Sequence, residues 1–265
     1  MRIFILAMDD PLYTNQFIKD IIKARKKDII GFAHVTKGNR LTVGKNRSKT
    51  EYLLSLLLIM GGFHFCKNSL NTISHKIKVK MNELLNNRLT PTVYDYCIKE
   101  GIEAYKIKSP NSKQFLELLK SKQPDVIINQ SQCIIKKKLL AIPKIGVINR
   151  HNALLPKNRG RLTPFWVLYK QEKETGVSIH FVEESLDSGD IIVQKQFDVS
   201  KKDTFNTIVN KNYKLAIVAM LEALDKLEKD ITDYIQNDDN KSTYNSSPSF
   251  RNALEYRFAR IKRLI

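Results

Sequence analysis

The sequence predicts an α/β fold on a mostly parallel sheet, with a helical basic insertion and a short C-terminal extension. Three observations carry that expectation. Short apolar runs alternate with segments of helical periodicity along most of the 265 residues, the pattern of βαβ units. One run, Val126-Ile127-Ile128 leading to Asn129, is continuously apolar up to that residue, as strands covered on both faces are. Between residues 37 and 88 the rhythm breaks, with ten Lys or Arg against two acids, Glu51 and Glu83.

In chain order, residues 2–7 form a short apolar run ending in the turn signal Asp9-Asp10-Pro11, and read as a buried strand. Residues 16–26 place Phe17, Ile18, Ile21 and Ile22 at helical spacing, and 28–35 are rich in strand formers, completing a β-α-β start. Within the insertion, 51–65 is apolar, and Ile73, Ile77, Met81 and Leu84-Leu85 continue at helical spacing with a basic opposite face. The plainer reading packs this helical excursion on the domain with its basic side solvated. The sharper one sets it on a membrane surface or a polyanion.

Beyond the insertion, helices are expected over 91–99, 112–121, 136–141 and 163–170, and strands over 104–107, 126–129, 146–149, 176–182 and 191–197. A long helix over 204–227 opens at Asp203-Thr204. The remainder starts polar at 237–242 and ends basic, with Arg251, Arg257, Arg260, Lys262 and Arg263.

Composition narrows the function classes. Hydrophobic residues make up 42% and aromatics 9%, too apolar for a disordered chain. The longest apolar run, 52–60, is far short of the ~20 residues that span a bilayer. The N-terminus turns acidic soon after its first apolar run and lacks a small-residue cleavage site, so a cytoplasmic protein without signal peptide is expected. Cys66, Cys97 and Cys133, odd in number and without a C-x-x-C pair, suggest neither disulfides nor zinc and read as reduced packing residues. The 45 Lys and Arg exceed the 27 Asp and Glu to give +18, which implies an anionic partner. Nucleic acid, a membrane surface and a phosphorylated small substrate all fit that charge.

Residues 37–46 have a superficial likeness to a phosphate-binding loop. Gly38 and Gly44 enclose five residues instead of four, and Asn46 stands where Ser or Thr would hold magnesium, so the likeness is rejected. His34, His64, His75 and His180 have no partner at metal-ligand spacing and read as packing or surface residues; no metal is expected. Aromatic residues are scattered without a stacking motif, so charge alone is weak support for nucleic acid.

The informative stretch is 146–190. A buried strand delivers Asn149 and His151 at i and i+2, on one side of an extended chain and just past the strand end, where parallel sheets place their active sites. The turn Asp187-Ser188-Gly189-Asp190 follows a second strand and is able to return a carboxylate to that edge. On spacing alone, a capped loop with a surface histidine fits equally well.

N-x-H followed by A-L-L-P-K-x-R-G, then G-V-x-I-H and L-D-x-G-D-I, resembles the signature of formyltransferases that use 10-formyltetrahydrofolate. The likeness runs from the first strand to about Val199. It implies the Rossmann-like, mostly parallel formyltransferase fold, with a catalytic domain over 1–200, the insertion at about 37–90, and a C-terminal helix and basic tail over 201–265. It implies a catalytic trio of Asn149, His151 and Asp187, and a pterin pocket lined by Cys133, Ile134 and Ile135 and by Glu183, Glu184, Ser185 and Leu186. The family's usual Pro-Ser after the histidine is Asn152-Ala153 here, a change in the loop wall that leaves the trio intact.

The implied chemistry suits these residues. As an amine attacks the formyl carbon, negative charge grows on the formyl oxygen, to which Asn149 and an N–H of His151 would donate. Asp187 would orient the histidine and take the amine proton directly or through water. Among resembling enzymes, methionyl-tRNA formyltransferases add a C-terminal barrel-like domain, whereas 38 residues follow Leu227 here. Glycinamide ribonucleotide transformylases carry a glycine-rich loop where this chain has Met8-Asp9-Asp10-Pro11. The expected acceptor is therefore a small anionic amino sugar, nucleotide-linked, in surface-polysaccharide synthesis. A lipid-linked amine at an anionic membrane, methionyl-tRNA, and a non-catalytic folate- or polyanion-binding role are the alternatives. The tail and insertion offer surface for a homodimer, without a residue-level argument for one.

Overall fold

The structure, a computed structural model, describes residues 1–36, 48–85 and 89–264. The loop-like stretch 37–46 and the basic residues Lys37, Arg40, Lys45, Arg47 and Arg88 lie outside the described residues.

Seven strands form one sheet: β1 (Ile3–Ala7), β2 (Ile29–Val35), β3 (Ala104–Ile107), β4 (Val126–Gln130), β5 (Gly146–His151), β7 (Glu174–Phe181) and β8 (Ile191–Asp198), in the order β3-β2-β1-β4-β5-β7-β8. Pairing is parallel from β3 to β5, and antiparallel where β7 meets β5 and β8. All five residues of β1 are buried, because alternate side chains enter different layers. Ile3, Ile5 and Ala7 join a core with α1 (Thr14–Arg25), α4 (Val93–Lys99) and α8 (Phe205–Glu228), while Phe4 and Leu6 pack with Phe115 and Leu119 of α5 (Lys113–Lys122) and Leu139 of α6 (Lys137–Leu140). Each such large apolar side chain contributes about 1.5–3 kcal/mol by leaving water. α8 starts where the sequence placed it, at Thr204, whose hydroxyl accepts from the Thr207 N–H while Thr207 reaches back in a capping box.

The expected elements are present with ends displaced by a few residues. β5 runs beyond Asn149 to His151 because β7 pairs with it through His151 and Ser178. Among its described residues the insertion forms two helices, α2 (Lys49–Met60) and α3 (Gly62–Leu84), broken at Gly61, whose φ of +80° suits glycine. Its packing reverses the plainer expectation. α3 turns Leu70, Ile73 and Ile77 outward, exposed by 66%, 54% and 54%, and reaches the domain from its polar side, where His75 Nε2 stands 2.6 Å from Asp9 Oδ2.

The tail, read as merely polar then basic, is structured. Tyr244–Asn245 (β9) pairs with Arg159–Gly160 (β6), and Phe250–Leu264 (α9) packs on α2; with α7 (Thr163–Tyr169) they surround a small third core containing Phe165, Ile59 and Tyr256. Gly160 allows that approach. Its φ is +104°, and a Cβ there would stand 2.2 Å from the Asn245 carbonyl oxygen. Gly160→Ala is expected to cost about 1–3 kcal/mol in backbone strain alone. A shifted denaturant midpoint measures it, and an unchanged midpoint would contradict the strained approach.

Candidate active site

Sheet register builds the site. Asn129, Asn149 and His180 stand side by side on β4, β5 and β7, so three polar side chains end one row of the sheet. His151, two residues beyond Asn149, emerges on the same side. The loop after β7 then returns Asp187, whose backbone takes a φ of +52°. The three residues expected as a catalytic trio are thereby brought together: His151 Nδ1 lies 3.6 Å from Asp187 Oδ2.

Each group of the trio is fixed by neighbours the sequence reading did not single out. Gln130 Nε2 donates to the Asn129 carbonyl at 2.9 Å and to Asn149 Oδ1 at 2.7 Å. The Asn149 amide is thus oriented with its oxygen satisfied and its Nδ2 available as a donor. His151 Nε2 stands 2.8 Å from the carbonyl of Asn158, which only accepts, so the proton of neutral His151 sits on Nε2. Nδ1 then approaches the aspartate without a hydrogen of its own, and protonation there would make a charge-assisted contact. The Gly160 N–H donates to Asp187 Oδ2 at 2.9 Å.

His180, read as a packing or surface residue, is buried and belongs to this cluster. Its Nδ1 donates to the Phe181 carbonyl at 2.6 Å, leaving Nε2 with no hydrogen-bond partner and 3.8 Å from Asp187 Oδ1. Burial holds its pKa down at about 4, against the smaller upward pull of Asp187. An unfolded chain takes up this proton near 6.5 while the folded one resists to about 4, so between those values the folded state binds fewer protons. The contribution to stability is complete above the unfolded value and is lost as pH falls toward 4. His180→Gln is expected to flatten that decline; urea midpoints taken from about pH 7 down to about pH 4 would reveal it, and an unaltered slope would contradict it.

The structured tail braces the aspartate loop. Asn237 Nδ2 donates to the carbonyls of Asp187 and Gly189 at 2.8 and 2.9 Å. Arg159, 1% exposed, holds Asn237 through Nη2 and Asp239 through Nη1. The only sequence signal for this brace was the run of turn-forming residues at 237–240, which resembles an ordinary loop.

Asn149, His151 and Asp187 line one cavity of about 490 Å³, and all seven residues expected for a pterin pocket line it too: Cys133, Ile134, Ile135, Glu183, Glu184, Ser185 and Leu186. Ile134 and Leu186 leave 50% and 38% of their surface exposed, apolar faces open to a planar ring. Tyr13, Tyr213, Tyr52 of the inserted α2, and Arg161 form a further part of the wall. Tyr13 stacks on Tyr213 with centroids 5.0 Å apart. Between Asn149 and His151, Arg150 leaves the other face of the strand and still lines the cavity, its guanidinium 4.5 Å from the Phe17 ring and 4.2 Å from that of Tyr213, to whose hydroxyl it donates. Among the described residues no cluster of three His, Cys, Asp or Glu side chains could hold a metal ion.

Residues 66–224 match the family described as Formyl transferase. The chain belongs to that family. It is 32% identical over 183 residues to the methionyl-tRNA formyltransferase of Thermotoga maritima, covering 68% of this chain and 58% of that one. The methionyl-tRNA formyltransferase of Ehrlichia ruminantium is 31% identical over 188 residues, 68% of this chain and 62% of its own length. The chain thus spans about three fifths of these family members. A sugar N-formyltransferase from a Shewanella species has the same fold at a TM-score of 0.57 and 17% identity, covering 92% of this chain and 76% of that one. Glycinamide ribonucleotide transformylase 1 of Symbiobacterium toebii does so at a TM-score of 0.59 and 14% identity, over 87% and 88% of the two chains. The mostly parallel seven-stranded sheet is the fold the family shares.

Proposed function

We propose that this formyltransferase family member moves the formyl group of 10-formyltetrahydrofolate to the amine of an anionic amino sugar, nucleotide-linked, for surface polysaccharide synthesis in the cytoplasm. The observation that carries the transfer is the convergence of Asn149, His151 and Asp187 in a cavity shared with the seven pterin-pocket candidates. The exposed faces of Ile134 and Leu186 fit a pterin ring, and the folate supplies the activated formyl group when bound. Asn149 Nδ2 donates to the formyl oxygen as negative charge grows there, a contact worth about 2.7–4 kcal/mol in such sites. His151, expected to donate an N–H to that oxygen, has Nε2 on the Asn158 carbonyl and Nδ1 facing Asp187, and so positions the carboxylate beside the same centre. Asp187 receives the proton of the attacking amine on Oδ1, the oxygen not engaged by Gly160. The bare Nε2 of His180 would accept a hydrogen bond from the protonated carboxyl until that proton passes to the departing tetrahydrofolate nitrogen, whose bond to the formyl carbon breaks as the carboxylate is restored.

For the acceptor, the Tyr13, Tyr52 and Tyr213 rings suit the apolar face of a sugar, and the Arg161 guanidinium suits an anion. Met8-Asp9-Asp10-Pro11 after β1 offers no glycine-rich phosphate loop, which disfavours a glycinamide ribonucleotide. Methionyl-tRNA is the second reading, favoured by the names of the relatives just described and by the +18 charge. Incubation with 10-formyltetrahydrofolate and a panel of nucleotide-linked amino sugars, beside charged initiator tRNA, separates the two by mass spectrometry. A formylated sugar nucleotide is the expected product, and formylation of the tRNA alone would overturn the sugar reading.

A further inference from the structure

Helix α3 carries its large apolar side chains on the side away from the protein. Phe63, Leu70, Ile73, Ile77, Met81 and Leu84 are exposed by 77%, 66%, 54%, 54%, 47% and 75%. Their intervals of three, four and seven residues align them, with exposed Cys66, along one stripe of the 23-residue helix. The opposite face fastens the helix with polar groups. His75 Nε2 lies 2.6 Å from Asp9 Oδ2, and Asn82 Oδ1 accepts from the Leu89 N–H at 2.8 Å. Single exposed apolar residues are normal, but a continuous stripe of this length marks an interaction surface.

Charge identifies what that surface meets. At 100° per residue, Lys67 and Lys78 border the stripe on one side and Lys76 and Lys80 on the other, all exposed. A second copy of α3 laid against the stripe would bring lysine rows together, with only Glu83 on each helix to offset them. An anionic bilayer instead takes the apolar stripe among its acyl chains and the ammonium groups at its headgroups, with the lysine stems lying along the apolar surface. We propose that α3 docks the protein on anionic lipid bilayers through the stripe from Phe63 to Leu84. The helix lies on the surface, since no helix among the described residues is long and apolar enough to cross a membrane. Through His75 its inner face grips Asp9, next to the Asp10 that lines the candidate active-site cavity, so docking brings the cavity close to the bilayer.

Docking is testable without any assumption about catalysis. The full chain is sedimented with phosphatidylcholine vesicles with and without phosphatidylglycerol. In parallel, Cys66 is labelled with a polarity-sensitive fluorophore, Cys97 and Cys133 being buried in the folded protein. Binding and a blue shift are expected on the anionic vesicles alone. Leu70→Ser, Ile73→Ser and Ile77→Ser combined should weaken partitioning at least about tenfold, with the circular dichroism unchanged because these side chains are exposed. Lys67→Gln, Lys76→Gln and Lys78→Gln combined should weaken it several-fold and remove most of its salt dependence. Absence of binding, equal binding to neutral vesicles, or wild-type partitioning by the triple serine variant would overturn the proposal. So would a blue shift that grows with protein concentration without vesicles, which would assign the stripe to a second copy of the chain.

Discussion

Asn149→Ala is expected to lower turnover about 10²–10³-fold while leaving the fold intact. Asn149 is only partly buried and its side-chain oxygen accepts from Gln130. Truncation therefore removes a donor from the cavity without opening the cores beneath the sheet. The loss should fall on turnover more than on KM, because the charge this amide meets develops as the reaction proceeds. Gln130→Ala offers a graded companion, since it removes the group that orients the amide and retains the amide itself. Activity of the Asn149→Ala protein within about twofold of wild type would refute the assignment of Asn149 as the oxyanion donor.

Asp187→Asn is expected to cost about 10²–10⁴-fold, the usual value of a positioned general base. The replacement is nearly isosteric and keeps an oxygen for the Gly160 N–H, so the loop and its Asn237 brace should persist. It removes the oxygen proposed to receive the amine proton. Because the neutral amide brings donor hydrogens toward the bare Nε2 of His180, the cluster remains satisfied and the thermal midpoint should change little. A stable but inactive protein is the expected result. A variant with unimpaired turnover and an intact fold would show that the proton leaves by another route.

Much of this architecture was legible in the sequence because period and burial agree. β1 and β4 are apolar on both faces, and the sheet covers both, so continuous apolar runs could be read directly. α8 announced its start with a capping residue. Asn149, His151 and Asp187 were legible through motif likeness, whereas their convergence depends on register between β5 and β7 and on a loop turned by a positive φ, neither of which has a local signature. His180 looked like packing because no partner stands at metal-ligand spacing from it, and its meaning comes from Asp187, which the following loop returns to it. α3 misled for a different reason. Periodicity reports that one face of a helix is apolar without saying which face the protein holds, and here the polar one carries the attachment.

The brace from Arg159 and Asn237 to the aspartate loop sets an order on the birth of the site. A ribosome releases the chain from its N-terminus, so the sheet from β1 to β5 can assemble while later residues are still being added. Asp187 and the Asn237 that holds its loop are separated by 50 positions, and Asn245, which closes on Gly160, emerges later still. A nascent chain can therefore possess the trio in sequence and the sheet in space before its aspartate loop is secured. The loop that carries Asp187 is therefore secured only after residues 237–245 have emerged, when most of the hydrophobic layers have closed.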